Sequence, residues 1–254
     1  MRTDNSRVTT ERTGHVLLIT MDRPAKKNAV DADMTQALDN ALDVLDDDPD
    51  LRCGILTGGP EIFCAGTDLA TGPGDPTERG GKYGIAGRSR TTPLIAAVEG
   101  FALGGGMEIA LACDLVVAGR SARFGLPEVT HGLVANCGAL FRTHRALPLH
   151  VAKQLLLTGQ PISAERAFAL GLANDVVDDG TAVANALRLA AVIAGNAPVA
   201  VRETLAAVEA VVGRDDPHGW EVTAIAEKSV LASRDSDEGL AAFLERRTPV
   251  WKGN

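Results

Sequence analysis

Pro93-Leu-Ile-Ala-Ala-Val-Glu-Gly-Phe-Ala-Leu-Gly-Gly-Gly-Met-Glu-Ile-Ala-Leu-Ala-Cys-Asp-Leu-Val-Val-Ala118 is the stretch on which the fold turns. Leu94–Val98 is a short continuous apolar run, which reads as a buried strand. The run Gly104-Gly105-Gly106 then opens a helix over Met107–Cys113, and Leu115–Ala118 is the next strand. Strands alternating with helices imply an α/β core. Working outward on the N-terminal side, Leu51–Thr57 reads as a buried strand closed by Gly58-Gly59-Pro60, and His15–Thr20 as another. Between them Asp31 is placed to cap a helix running to about Asp47. Its apolar positions Met34, Leu38, Ala41, Leu42 and Leu45 share one face. On the C-terminal side Ala122–Leu126 reads as a short strand stopped by Pro127. From about Pro148 the pattern is helical: Ser163 caps one helix, Gly171 ends it, and three helices follow from Ala197 to the end. Residues 71–92, rich in Gly and Pro, read as a mobile polar segment of the kind that covers ligands.

The composition sets limits on function. The chain has 254 residues, 45% apolar and 23% charged, an ordinary globular balance. Its net charge of −8 argues against nucleic acid, which needs a basic face. An anionic ligand would have to use a local basic cluster, and Arg23–Lys27 and Arg246-Arg247 are the candidates. The four cysteines, Cys53, Cys64, Cys113 and Cys137, form no Cys-x-x-Cys pair. They read as reduced thiols of a cytoplasmic protein, with no metal site. The polar N-terminus has no apolar signal region, and no apolar run is long enough to span a bilayer, so no membrane partner is expected.

Two glutamates carry the candidate chemistry. Glu108 lies in the first turn of an apolar helix, behind three glycines that let another group approach the backbone. The free N–H groups of a helix start can hold a developing anion. The dinucleotide fingerprint fails, because its third glycine position is Ile109, and no P-loop Lys-Ser/Thr pair follows. A first-turn glutamate often serves only as a surface dipole partner, but the flanks of Glu108 predict burial, and a buried carboxylate is expensive unless it is paired or functional. Glu128 starts a new segment after Pro127, just past a strand end. Taken alone it reads as a helix-start glutamate.

Several segments together resemble the crotonase (enoyl-CoA hydratase/isomerase) family. They are Ile19–Pro24 with Asn28-Ala29, Phe63-Cys-Ala-Gly-Thr-Asp-Leu69, Pro93–Glu108, Ala112-Cys-Asp114, Phe124-Gly-Leu-Pro-Glu128, Leu157-Thr-Gly159, Ala164–Leu172 and Ala241–Arg246. Each is weak alone; the ordered set covers nearly the whole chain. The resemblance implies a spiral of ββα units over residues 1–196, binding acyl-CoA, and a helical oligomerisation region over 197–254 that builds a homotrimer or hexamer. It implies an oxyanion hole from the backbone N–H groups of Thr67 and Gly105. Glu108 is then associated with activating water and Glu128 with the proton at Cα. Lys26, Ala29, Ala65, Gly66, Asp68, Leu69, Asn136 and Arg246 are implied to bind substrate. Coenzyme A is part of that substrate, and no separate cofactor is implied.

The implied activity is hydration of a 2-enoyl-CoA in fatty-acid metabolism. A Δ3,Δ2-enoyl-CoA isomerase, a carnitinyl-CoA-like dehydratase and a non-catalytic acyl-CoA-binding protein are the alternatives. Retention of both glutamates favours hydration, since isomerisation can proceed with one base. One stretch departs from the family. Many hydratases carry Pro-Gly-Ala-Gly-Gly-Thr-Gln-Arg where this chain has Ala135-Asn-Cys-Gly-Ala-Leu-Phe-Arg142. Asn136 is expected to tolerate a left-handed turn there and to face the acyl group. His131 and Cys137 are expected to be packing or surface residues.

Overall fold

A computed structural model of the chain describes residues 2–5 and 7–254. The larger of two sheets has seven strands. In spatial order they are β1 (Arg2–Asn5), β2 (Val8–Thr13), β3 (Val16–Met21), β4 (Cys53–Thr57), β5 (Leu94–Val98), β7 (Leu115–Gly119) and β10 (Asp175–Val177). The first three pair antiparallel; from β3 to β10 every pairing is parallel. The smaller sheet holds β6 (Phe101–Leu103), β8 (Arg123–Gly125) and β9 (Ile162–Ser163). Strands β5 and β7 lie in the large sheet, and each is followed within a few residues by β6 or β8 in the small one. An isolated bridge from Cys64 to Ala102 joins the chain after β4 to the same layer. The chain thus repeats a ββα turn, and the turns stack into a spiral.

The helices follow from their apolar spacing. Helix α1 (Ala32–Asp47) is capped by Asp31, whose Oδ1 accepts from Met34 N at 2.9 Å. Met34, Leu38, Ala41, Leu42 and Leu45 are all buried, as the periodicity requires. Helix α2 (Gly105–Leu111) begins two residues earlier than the sequence reading, so two of the three glycines lie inside its first turn. Next come α3 (Ala139–Ala146), α4 (Leu149–Thr158) and α5 (Ala164–Ala169), the last capped by Ser163. Helix α6 (Ala182–Ala194) buries Ala182, Ala186, Ala190 and Ala194 against β4, β5 and β7. A stripe of alanines at every fourth position lets that helix lie close to the sheet. Three helices end the chain: α7 (Pro198–Val212), α8 (Asp216–Leu231) and α9 (Arg234–Glu245).

Two stretches differ from expectation. Residues 71–92 are not a loose polar flap, because their middle is anchored. Tyr83, Ile85 and Ala86 are buried in the main core. The Arg88 guanidinium is buried against α1, with Asp46 at 2.7 Å, Asp43 at 2.8 Å and Asp39 beside it. Counting glycines and prolines missed this, because three aspartates on α1 meet Arg88 only in the folded chain. The segment does still cover the candidate site. The second difference concerns the turn before α3. There Gly138, and not Asn136, takes the left-handed conformation, at φ +109°.

Candidate active site

The glycine run is required by what surrounds it. Gly104 sits at φ +54° and ψ −125°, a region that side chains other than hydrogen rarely adopt. A Cβ there would also stand 3.3 Å from Glu128 Oε1. A Cβ on Gly106 would come within 2.2 Å of the Cys64 carbonyl oxygen. The run therefore brings the start of α2 against both the Cys64–Thr67 loop and the Glu128 carboxyl. This is the close approach that three successive glycines permit.

Glu108, in the first turn of α2, is 1% exposed. Its Oε1 accepts from Cys137 N at 2.7 Å and from Ala139 N at 3.1 Å, two donors at the start of α3. Burial pushes its carboxyl above the usual range, and these two N–H bonds pull in the opposite direction by favouring the ion. Glu128 lies on a single 3-10 turn, Pro127–His131. Its Oε2 is buried and has no hydrogen-bond partner. Burial first, and the neighbouring Glu108 second, raise its carboxyl to about 8. Both carboxyls of the pair are thus held above the usual range, and Glu108 has the stronger set of N–H donors to its ion.

The Thr67 loop completes the corner. Val30 N donates to Gly66 O at 2.8 Å and Asp68 N to Val30 O at 2.9 Å. This bridge leaves the N–H of Thr67 pointing away from Val30. The Thr67 hydroxyl and the Tyr83 hydroxyl are hydrogen-bonded at 2.6 Å. Tyr83 also closes over Gly105, where an added Cβ would meet its hydroxyl at 2.5 Å. A cavity of about 270 Å³ opens onto this corner, and its walls include Thr67, Leu69, Tyr83, Glu108, Glu128 and Asn136.

The structure thus gathers Thr67, Leu69, Glu108, Glu128 and Asn136 into one cavity, with Gly66 and Gly105 directly behind it. Ala29, Ala65 and Asp68 form the adjoining turn: Ala65 N donates to Lys27 O at 3.0 Å. Asp68 is occupied there, paired to Arg23 at 2.8 Å, and that pairing holds its carboxyl below the usual range. Arg23 Nη1 also reaches Ala29 O at 2.9 Å. Lys26 is exposed at the edge of this turn. Arg246 is exposed at the end of α9, outside the cavity wall. His131 packs edge-on against Phe243, as a packing residue should. Cys137 does more than pack, because its backbone N–H holds Glu108 and its side chain lines the cavity.

Lys82, Tyr83 and Glu227 are polar wall residues that were not read from the sequence. Tyr83 carried a usable signal. It is the single tyrosine of the chain, set in a polar glycine-rich stretch, and it holds a left-handed φ of +58° that bulky residues rarely adopt. Glu227 carried none. On α8 it is one more helix glutamate, and only the packing of α8 brings it to Lys82, at 2.8 Å.

Comparison with known proteins bears on the family and the fold. The family model described as enoyl-CoA hydratase/isomerase matches residues 11–254. The chain is 41% identical over 250 residues to enoyl-CoA hydratase EchA19 of Mycobacterium tuberculosis, covering 94% of each chain. It is 40% identical over 256 residues to (E)-benzylidenesuccinyl-CoA hydratase of Thauera aromatica, covering 97% of this chain and 99% of that one. The crystal structure of carnitinyl-CoA hydratase from Mycobacterium avium superposes with a TM-score of 0.93 at 41% identity, covering 99% and 100% of the two chains. With the family match over nearly the whole length and the fold in common, the chain belongs to the enoyl-CoA hydratase/isomerase family, the crotonase family.

Proposed function

We propose that this chain adds water reversibly across the 2,3 double bond of a 2-enoyl-CoA thioester. The observation that carries the reading is the pair of buried glutamates in unlike surroundings, Glu108 Oε1 held by two backbone donors from another segment and Glu128 Oε2 buried without a partner. Hydration needs one base and one acid at the same moment. Glu108, whose Oε1 accepts from two backbone N–H groups, takes the proton from the attacking water. Glu128, neutral at pH 7, gives its proton to Cα. The reverse reaction needs the same single proton on the pair with the roles exchanged. An isomerase would need only one such group.

The electrons displaced from the double bond collect on the thioester oxygen. The N–H groups of Thr67 and Gly105 are the donors assigned to it. Losing one donor of such a hole costs roughly 2.7–4 kcal/mol of barrier. Coenzyme A is carried in as part of the substrate, and no step here calls for another cofactor. Lys26, at the exposed edge of the 23–29 turn, and Arg246, from its own or a neighbouring subunit, are the cations assigned to its phosphates. Asp68 acts one step back, by fixing Arg23 and with it the turn.

The relatives are named for different acyl groups, so the thioester chemistry is the shared part and the acyl group the variable one. Helices α7–α9 expose Val199, Val208, Val211, Ile225, Leu231 and Phe243. An apolar surface of this kind fits self-association into a trimer or hexamer, which sedimentation of the purified chain tests. The activity is tested by incubating the protein with crotonyl-CoA and following enoyl-thioester absorbance, together with a panel of longer and branched 2-enoyl-CoAs. Loss of absorbance with formation of 3-hydroxyacyl-CoA is expected. No hydration of any member would sink the reading.

A further inference from the structure

The wall of the cavity contributed by α8 is unlike the rest. Leu133 and Val134 are ordinary apolar lining, but between them and the 71–82 segment stands a polar group of three: Lys82, Asn136 and Glu227. Lys82 Nζ donates to both oxygens of Glu227, at 2.8 and 3.0 Å. Asn136 Nδ2 donates to Glu227 Oε1 at 2.5 Å. Thr67 and the two glutamates line the same cavity. An acyl chain held there has this group within its walls.

The count of donors and acceptors is uneven. The Glu227 carboxylate already accepts three hydrogen bonds. Lys82 has three N–H groups and makes two bonds to Glu227; Asn136 has two and makes one there. The surplus toward the cavity is of donors. A hydrocarbon tail would strip water from this half-buried ion pair and return no hydrogen bond, which is unfavourable. An acyl carboxylate would add a further carboxyl to Glu108, Glu128 and Glu227 against one ammonium. A cationic tail would have to displace Lys82 and Asn136 from Glu227, whose oxygens already accept from both. A neutral oxygen accepts from the spare donors without either cost.

Resting on the acyl-thioester reading above, we propose that Lys82, oriented by Glu227 and Asn136, selects acyl chains bearing a neutral hydrogen-bonding oxygen beyond the reacting carbons. In this arrangement Lys82 is the group that touches the substrate, and Glu227 and Asn136 are positioning residues. The departure of the Ala135–Arg142 stretch from its family pattern gains a meaning here. Asn136 gives Glu227 Oε1 a donor that a glycine at that position would not supply.

The test compares binding and turnover in matched series, so that the selection and the chemistry fail separately. Calorimetric titration of the full-length protein with butanoyl-CoA and 4-hydroxybutanoyl-CoA is expected to favour the hydroxylated ligand on the order of tenfold, the worth of one well-made hydrogen bond. Succinyl-CoA and 4-trimethylammoniobutanoyl-CoA should gain nothing over butanoyl-CoA. In Lys82→Met and in Glu227→Gln the ratio should fall toward one, while Lys82→Arg should retain a preference. A ratio of two ligands is independent of the folded fraction, so partial unfolding of a variant does not obscure it. Equal binding of the alkyl and hydroxyl ligands, a preference for either charged tail, or a ratio unchanged in Lys82→Met would overturn the proposal. The corresponding 2-enoyl-CoAs report the chemistry. Binding preference without hydration of any of them would remove the hydratase reading and keep the selection. Hydration without preference would do the reverse.

Discussion

Glu108 and Glu128 are the same residue type at two places one cavity apart, and nearly everything that matters differs between them. Glu108 stands on a helix start, fully buried, with two backbone N–H groups from a second helix closed on one oxygen. Glu128 stands on a 3-10 turn with one oxygen buried and unpartnered. Burial raises both carboxyls; two backbone donors from another segment counter it at Glu108, and only its own backbone N–H does so at Glu128. The lesson is that the protonation roles come from backbone supplied by other segments and not from the glutamates themselves.

The sharpest way to break this pair is to remove either titrating group. Glu108→Gln and Glu128→Gln should each lower kcat by about 10²–10⁴-fold, the usual worth of a positioned acid or base. Steady-state hydration of crotonyl-CoA checks this, and near-normal turnover in either variant would refute the division of roles. Acyl-CoA binding should survive both changes.

A smaller effect is expected from pH alone. Hydration needs Glu128 protonated, and its carboxyl is raised to about 8. The rate should therefore fall above that pH, approaching tenfold per further pH unit. A kcat profile that stays level to pH 9.5 would contradict it.

Stability should show the same asymmetry with a definite sign. Glu128 has a folded value above its unfolded one, so the native state binds the extra proton between roughly pH 4.5 and 8. Its contribution is complete below the unfolded value and is lost as pH rises through the folded one. Glu128→Gln should remove that loss and gain on the order of 1–3 kcal/mol relative to the parent at pH 9. Urea melts of both proteins at pH 5 and pH 9 measure it, and an equal difference at the two pH values would rule out this linkage.

The smallest expected effect is at Tyr83, which touches the corner without titrating in the working range. Burial pushes its phenol well above its ordinary value. Tyr83→Phe removes the bond to Thr67 at 2.6 Å and should cost only about 2–10-fold in kcat/KM. A loss as large as that of the glutamate variants would give the hydroxyl a part in proton transfer that the pair does not need.

The legible part of the molecule was local. Helix α1 could be read from Asp31 and its apolar face, because capping and 3.6-residue spacing act within a few turns. Strands β4, β5 and β7 could be read from short apolar runs. Glu108 and Glu128 could be named because the glycine run and Pro127 mark the backbone on which they stand. The short strands β6 and β10 escaped, being three residues each and dependent on pairing for their existence. Residues 71–92 were misread for a related reason. Their hold comes from Tyr83 in the core and Arg88 on three aspartates of α1, contacts that neither composition nor periodicity encodes.

The sequence by itself determined the family, the order of ββα turns and the two carboxyls, since these are written in short motifs and in their order along the chain. Only the tertiary structure set the surroundings of each carboxyl, because the donors to Glu108 come from Cys137 and Ala139 on a later segment. It also decided that the cavity ends on Lys82, Asn136 and Glu227. Those three lie far apart in sequence, and they meet because α8 packs on α3 and brings Glu227 to Lys82 and Asn136.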